Sequence, residues 1–144
     1  MFKKVLVAVD GSDASDIAVQ WTHEAFQALP QTHFTFLYVH QPYIPLAIGT
    51  GYMPVVYEPA EIDLPPEESP AYAAWKGFPD TSRVDYATET GSNPAEVICK
   101  KAAEEGYDLI VVGSRGHGLV SSVFLGSVSG KVLHHAKCAV LVVR

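Results

Sequence analysis

The chain predicts an α/β protein: an open, doubly wound, five-stranded parallel sheet with helices on both faces. Three observations carry that expectation. Val5-Leu6-Val7-Ala8-Val9, Leu109-Ile110-Val111-Val112 and Val140-Leu141-Val142-Val143 are continuously apolar runs, as strands covered on both sides should be. Between such runs lie stretches whose apolar residues recur at three- and four-residue steps, the period of a helix. The joins are punctuated by small and turn-forming residues, Asp10-Gly11-Ser12 after the first run and Gly113-Ser114-Arg115-Gly116 after the fourth.

Taken in order, the first strand ends at Asp10 and a helix begins near Asp13. Ala14, Ile17, Ala18, Trp21, Ala25 and Leu29 form its stripe, Ser12 or Asp13 can cap it, and Pro30 stops it. A second strand follows over His33-Phe34-Thr35-Phe36-Leu37-Tyr38-Val39, and a weaker third over Val84-Asp85-Tyr86-Ala87-Thr88. Asn93 as N-cap, Pro94 at the first helical position and Glu96 at N3 predict a reciprocal cap. The helix they open carries Val97, Ile98, Ala102, Ala103 and the apolar stem of Lys100, and Gly106 closes it. A fourth strand from Asp108 to Val112, a helix from about Ser127 to His135 and a fifth strand from Ala139 to Val143 complete the pattern.

Residues 41–80 interrupt this regularity with eight of the ten prolines and with Tyr43, Tyr52, Tyr57, Tyr72, Trp75 and Phe78. A link of this length suits a lid, an aromatic interface, or a crossover with one short helix around Ser69 to Lys76. The expected organisation is therefore one domain over residues 1–144 carrying an insertion at about 41–80.

At 144 residues a single core suffices. Hydrophobic residues are 48% and charged residues 18%, which excludes general disorder, and a formal charge of −6 argues against a broad nucleic-acid surface. The apolar run after Met1-Phe2-Lys3-Lys4 stops at Asp10, too short for an export signal or a membrane span, so the expected location is the cytoplasm. Cys99 and Cys138 form no CxxC pair and read as inert buried thiols.

The chemistry concentrates behind the fourth strand. A buried strand that breaks into Gly113-Ser114-Arg115-Gly116 and restarts as a helix at Gly126-Ser127 offers free main-chain amides and the positive end of a helix dipole. The glycines keep side-chain bulk out of the way. A phosphate-bearing ligand is the simplest guest. In a parallel sheet the binding crevice lies at the carboxyl ends of the strands, so Asp10 and Gly113 share it if their strands are neighbours.

The chain resembles the universal stress protein family along nearly its whole length. Lys4-Val5-Leu6-Val7-Ala8-Val9-Asp10-Gly11-Ser12 is similar to the family's opening. Residues Asp108 to Gly118, with Leu125-Gly126-Ser127-Val128-Ser129, resemble its late glycine signature, and the Gly-x2-Gly-x9-Gly-Ser spacing matches the ATP-binding branch. Cys138-Ala139 stands where the family often has Cys-Pro. The resemblance implies an adenine nucleotide alpha hydrolase-like fold with strand order 3-2-1-4-5. It also implies ATP as ligand, with Mg2+ or Mn2+ as an optional companion, and a homodimer formed through the C-terminal strand.

Residue by residue, the resemblance places Asp10 by the ribose and the Val39 main chain by the adenine. It closes Gly113 and Gly116 around ribose and phosphates and sets Gly126, Ser127, Val128 and Ser129 near the distal phosphates. Val9, Ser12 and Arg115 complete the set, Ser12 as a phosphate or metal contact and Arg115 as a phosphate partner. His117 stands without a visible catalytic partner. Gly126-Ser127-Val128-Ser129-Gly130-Lys131 is one residue short of a P-loop and lies in a predicted helix. The function expected is an ATP-binding stress-response module whose interactions follow occupancy. A weak ATP hydrolase and a nucleotide-free dimeric interaction protein are the rivals.

Overall fold

The computed structural model describes residues 1–42, 65–115 and 125–144. The elements are β1 (Lys4–Ala8), α1 (Asp13–Ala28), β2 (His33–His40), α2 (Pro70–Lys76), β3 (Val84–Thr90), α3 (Pro94–Glu104), β4 (Leu109–Gly113), α4 (Ser127–His135) and β5 (Ala139–Val143), with a short 3₁₀ turn at Pro66–Glu68. The five strands form one parallel sheet in the order β3-β2-β1-β4-β5. This is the expected order, and it makes β1 and β4 neighbours.

Strand alternation divides the core into two layers. Val5, Val7, Phe34, Phe36, Leu109 and Val111 face α1 and α2, where Ala18, Ala25, Phe26 and Ala71 meet them. Leu6, Leu37, Ile110 and Val112 face the other way, against Ala95, Ile98 and Ala102 of α3 and Val132 of α4. Helices thus cover both faces, which is why Val5 to Ala8 of β1 and Leu109 to Val112 of β4 are continuously apolar.

The stripe of α1 is rotated from the one its apolar residues predict. Ser15, Ala18, Thr22, Ala25 and Phe26 are its buried positions, while Ile17 is 38% exposed. Small polar residues can be buried here because they find partners inside the helix: Thr22 Oγ1 donates to the Ala18 carbonyl at 2.8 Å and Ser15 Oγ to the Ser12 carbonyl at 3.0 Å. Ser12 rather than Asp13 is the cap, accepting from the Ser15 amide at 3.3 Å.

In α3, Asn93 occupies the N-cap but makes no side-chain capping bond, so the predicted reciprocal cap with Glu96 does not form. Lys100 is exposed; its neighbour Lys101 packs instead, its ammonium bonded to Glu89 at 2.9 Å and Glu105 at 2.6 Å. Gly106 ends the helix as expected, with φ +70° and the Tyr107 amide donating back to the Ala102 carbonyl at 2.9 Å.

The N-terminus is stitched to β4 by Asp108, whose carboxylate accepts the amides of Lys3 at 2.8 Å and Lys4 at 3.2 Å. Cys99 and Cys138 are only partly buried, both packed on the α3 and α4 side, and neither forms a disulfide. Desolvation pushes both thiols above their ordinary value, which keeps them protonated at neutral pH. Among the described residues no helix is long and apolar enough to cross a membrane.

Candidate functional site

A cavity of about 740 Å³ opens at the carboxyl ends of β1, β2 and β4. That is where the strand order reverses, β1 connecting outward to β2 and the later strands building from β4, and parallel sheets bind ligands at such a point. The volume lies within the ~300–1,000 Å³ range of small-molecule sites.

On the β1 side the wall is Ala8, Val9 and Asp10. The Asp10 carboxylate accepts both the Ser12 amide, at 2.9 Å, and the Ser12 hydroxyl. These bonds fold the residues after β1 into a tight turn that includes Gly11 at φ +78°. Ser12 is not among the residues lining the cavity: its hydroxyl accepts the Ser15 amide at the start of α1 and donates to Asp10, which holds the carboxylate in place.

On the β2 side the direction of the main chain follows from the ladder. The Leu37 carbonyl accepts from the Val9 amide at 2.9 Å, so odd-numbered residues of β2 turn their amides and carbonyls toward β1. Strand β1 ends at Ala8, opposite Leu37. Two residues further on, Val39 turns its main-chain groups toward the cavity that it lines.

On the third side, β4 exits through Gly113 into Ser114. The Ser114 amide donates to the Val143 carbonyl at 2.7 Å, and the Ser114 carbonyl accepts the Gly126 amide at 2.6 Å and the Ser129 hydroxyl at 3.0 Å. These bonds fasten the start of α4 against the end of β4. The first helical bond of α4 is Gly130 to Gly126 at 2.9 Å, so the amides of Ser127, Val128 and Ser129 precede the helical ladder at the cavity wall. Ser129 is buried and its hydroxyl also lies 3.1 Å from the Gly126 carbonyl, so its contribution to the wall is its amide.

Val9, Asp10, Val39, Gly113, Arg115, Gly126, Ser127, Val128 and Ser129 are thus brought together around one cavity, while Ser12 stands behind it. Gly116 and His117 lie outside the described residues. Gly113 has a packing reason to be glycine, because a Cβ there would stand 2.6 Å from the Ala14 carbonyl oxygen of α1. Sequence reasoning missed Ser114, whose carbonyl anchors α4, and Pro94, Ile98, His40 and Gln41 in the wall. The Gln41 amide group donates to the Ser92 carbonyl at 3.1 Å, tying the β2 exit to the turn before α3. The short polar residues around Asn93 are a signal that α3 begins at the same end of the sheet.

Fold and cavity together define the class: a parallel α/β protein with an amide-rich crevice at the reversal point of its sheet. The sequence model of the Universal stress protein family matches residues 1–144, and the chain belongs to that family. The universal stress protein in the QAH/OAS sulfhydrylase 3'region of Thermus aquaticus is 38% identical over 144 residues, covering 100% of both chains. A universal stress protein solved in complex with cAMP shares the fold with a TM-score of 0.63 at 22% identity, over 99% of this chain and 97% of that one. An Arabidopsis thaliana family protein solved with AMP bound does so with a TM-score of 0.61 at 22% identity, over 98% and 90%.

Proposed function

We propose that the protein binds ATP in the crevice and acts as a nucleotide-dependent regulatory or interaction module. The observation that carries this reading is the convergence, around one 740 Å³ cavity, of the Asp10 carboxylate, the Val39 main chain and the first-turn amides of α4. Asp10, held by Ser12, accepts ribose hydroxyls; Val39 pairs with the edge of the base; the amides of Ser127, Val128 and Ser129, with Arg115, receive phosphate. Gly113 and Gly126 line the crevice where the ribose and phosphates approach the chain, and Gly116 is proposed to close beside them. The cAMP and AMP complexes of family members support an adenine nucleotide as the class of ligand. Among the described residues no group of three or more His, Cys, Asp or Glu can hold a metal. Where Mg2+ or Mn2+ accompanies the nucleotide, the phosphate oxygens hold it.

The test uses calorimetric titration of ATP into nucleotide-stripped protein, with Ser127→Pro as the diagnostic variant. Proline is tolerated at the first helical position, and Gly126 already has the extended backbone, φ −60° and ψ 163°, that precedes proline readily. The variant deletes one phosphate-facing amide and leaves the helix standing. ATP affinity is expected to fall about tenfold, the size of one hydrogen bond to a charged group, with little change in melting temperature. Absence of saturable ATP binding by the unsubstituted protein refutes the reading.

The module is proposed to work as a homodimer joined at β5. This strand has β4 on one side and lies at the edge of the sheet, with Val140 to Val143 half exposed. An edge of that composition is suited to pairing. Light scattering should give twice the chain mass at micromolar concentration; a monomer throughout that range disproves it.

A further inference from the structure

Resting on the nucleotide-site reading above, we infer that Gln41 is a specificity-determining residue. Its carboxamide oxygen Oε1 accepts a hydrogen bond from the exocyclic amino group of an aminopurine such as adenine and disfavours an oxopurine such as hypoxanthine. Gln41 lines the cavity just beyond the end of β2, and it is exposed, so a bound base can reach it. Strand alternation sets its side chain on the face of Leu37 and Val39, the face that looks toward α3 and carries the apolar wall of the cavity with Ile98 and Val112. The bond from its Nε2 to the Ser92 carbonyl, at 3.1 Å, runs in that direction, because Ser92 stands in the turn before α3.

The same bond settles which end of the carboxamide is which. A carbonyl oxygen can only accept, so the NH2 group of Gln41 is the end at Ser92 and Oε1 is the end left over. No described residue donates to Oε1. The contact exists because the exits of β2 and β3 run level: His40 pairs with Thr90, and its carbonyl accepts the Gly91 amide at 2.9 Å, which brings Ser92 beside Gln41. The carboxamide is thus held by one end and offers an acceptor from the other, at the rim of the cavity.

The chemistry of the guest follows from where its other parts sit. With the ribose at Asp10 and the phosphates at the start of α4, the base extends toward β2 and α3, and the amino group of adenine belongs to the ring farther from the sugar. That group carries two hydrogens, enough for one bond to the Val39 main chain and one to Oε1. An oxo group in its place has no hydrogen to give and sets its lone pairs against Oε1.

ATP and inosine triphosphate, whose base is an oxopurine, are titrated into the full chain, Gln41→Met and Ser127→Pro. Methionine keeps the length of the side chain and lacks the carboxamide oxygen, and at an exposed position it should leave the melting temperature unchanged. The unsubstituted protein is expected to prefer ATP. In Gln41→Met the ATP affinity should fall about fivefold, the size of one neutral hydrogen bond, while inosine triphosphate binds as before, so the preference falls by the same factor. Ser127→Pro should weaken both nucleotides alike and keep the preference, because an amide at phosphate is blind to the base. An unchanged preference in Gln41→Met overturns the inference, whether both affinities hold or both fall together; the second result marks the side chain as a mere tether between β2 and α3. If the unsubstituted protein binds ATP no better than inosine triphosphate, the nucleotide site stands and this inference falls; if it binds neither, both fall.

Discussion

Gly113→Ala is expected to cost about 3 kcal/mol of folding stability, the upper part of the range for overpacking a tight contact, and to lower the melting temperature by roughly 10 °C. The added methyl would lie 2.6 Å from the Ala14 carbonyl oxygen, 2.7 Å from its carbonyl carbon and 2.9 Å from its Cβ. Two of those three atoms are backbone, so no rotamer change relieves the clash, and α1 must move off the end of β4. Gly130→Ala is the matched control. Its nearest neighbour would be Leu125 Cβ at 4.0 Å, in open helical surroundings. There alanine should stabilise by about 0.5–1 kcal/mol through helix propensity. Urea unfolding of the two variants checks the pair; a loss below 1 kcal/mol for Gly113→Ala contradicts the packing account. Weakened nucleotide binding in Gly113 variants must accordingly be read beside their stability, since the same glycine serves both cavity and scaffold.

Arg83→Met should be almost as damaging, at about 3 kcal/mol, and for a different reason. The Arg83 guanidinium donates to the carbonyls of Phe26 at 3.0 Å, Leu29 at 2.9 Å and Thr32 at 2.7 Å, and stacks 3.8 Å from the centre of the Phe26 ring. It thereby satisfies the carbonyl end of α1 and the turn into β2, whose acceptors have no helical partner. Methionine retains the packing and removes the donor to the Phe26 and Thr32 carbonyls, while the Leu29 carbonyl keeps only the Thr32 amide at 3.1 Å. Arg83→Lys should recover less than half of the loss, because an ammonium lacks the planar fork that reaches three carbonyls at once. Denaturant midpoints measure both. ATP affinity of the folded fraction should not change, as Arg83 precedes β3 at the end of the sheet away from the cavity. A loss under 1 kcal/mol for Arg83→Met would sink this account.

The framework was legible in the sequence wherever burial on two faces leaves an unambiguous apolar run, as in β1 and β4, and where glycine or proline punctuates a helix, as at Pro30, Pro94 and Gly106. The short helix expected around Ser69 to Lys76 is α2, opened by Ser69 accepting from the Tyr72 amide. Legibility failed where a residue's role depends on partners distant in sequence. Arg83 looks like an ordinary surface charge until the end of α1 is placed beside it. The β3 run continues to Thr90, beyond its predicted end at Thr88, because pairing with His40 extends a segment of weak intrinsic pattern. Ile17 had to give way to Ser15 and Thr22 because internal hydrogen bonds make small polar residues acceptable under the sheet.

The position of β1 also bears on how the molecule is made. Of the five strands, β1 is made before the other four yet is the middle strand of the finished sheet, and one of its two edges stays bare until Leu109–Gly113 has been synthesised. Nascent chains shorter than that hold at most a β3-β2-β1 half-sheet with an open apolar flank, a state that favours association with other chains. Productive closure thus waits for the synthesis of β4, and the non-local β1–β4 pairing slows it further.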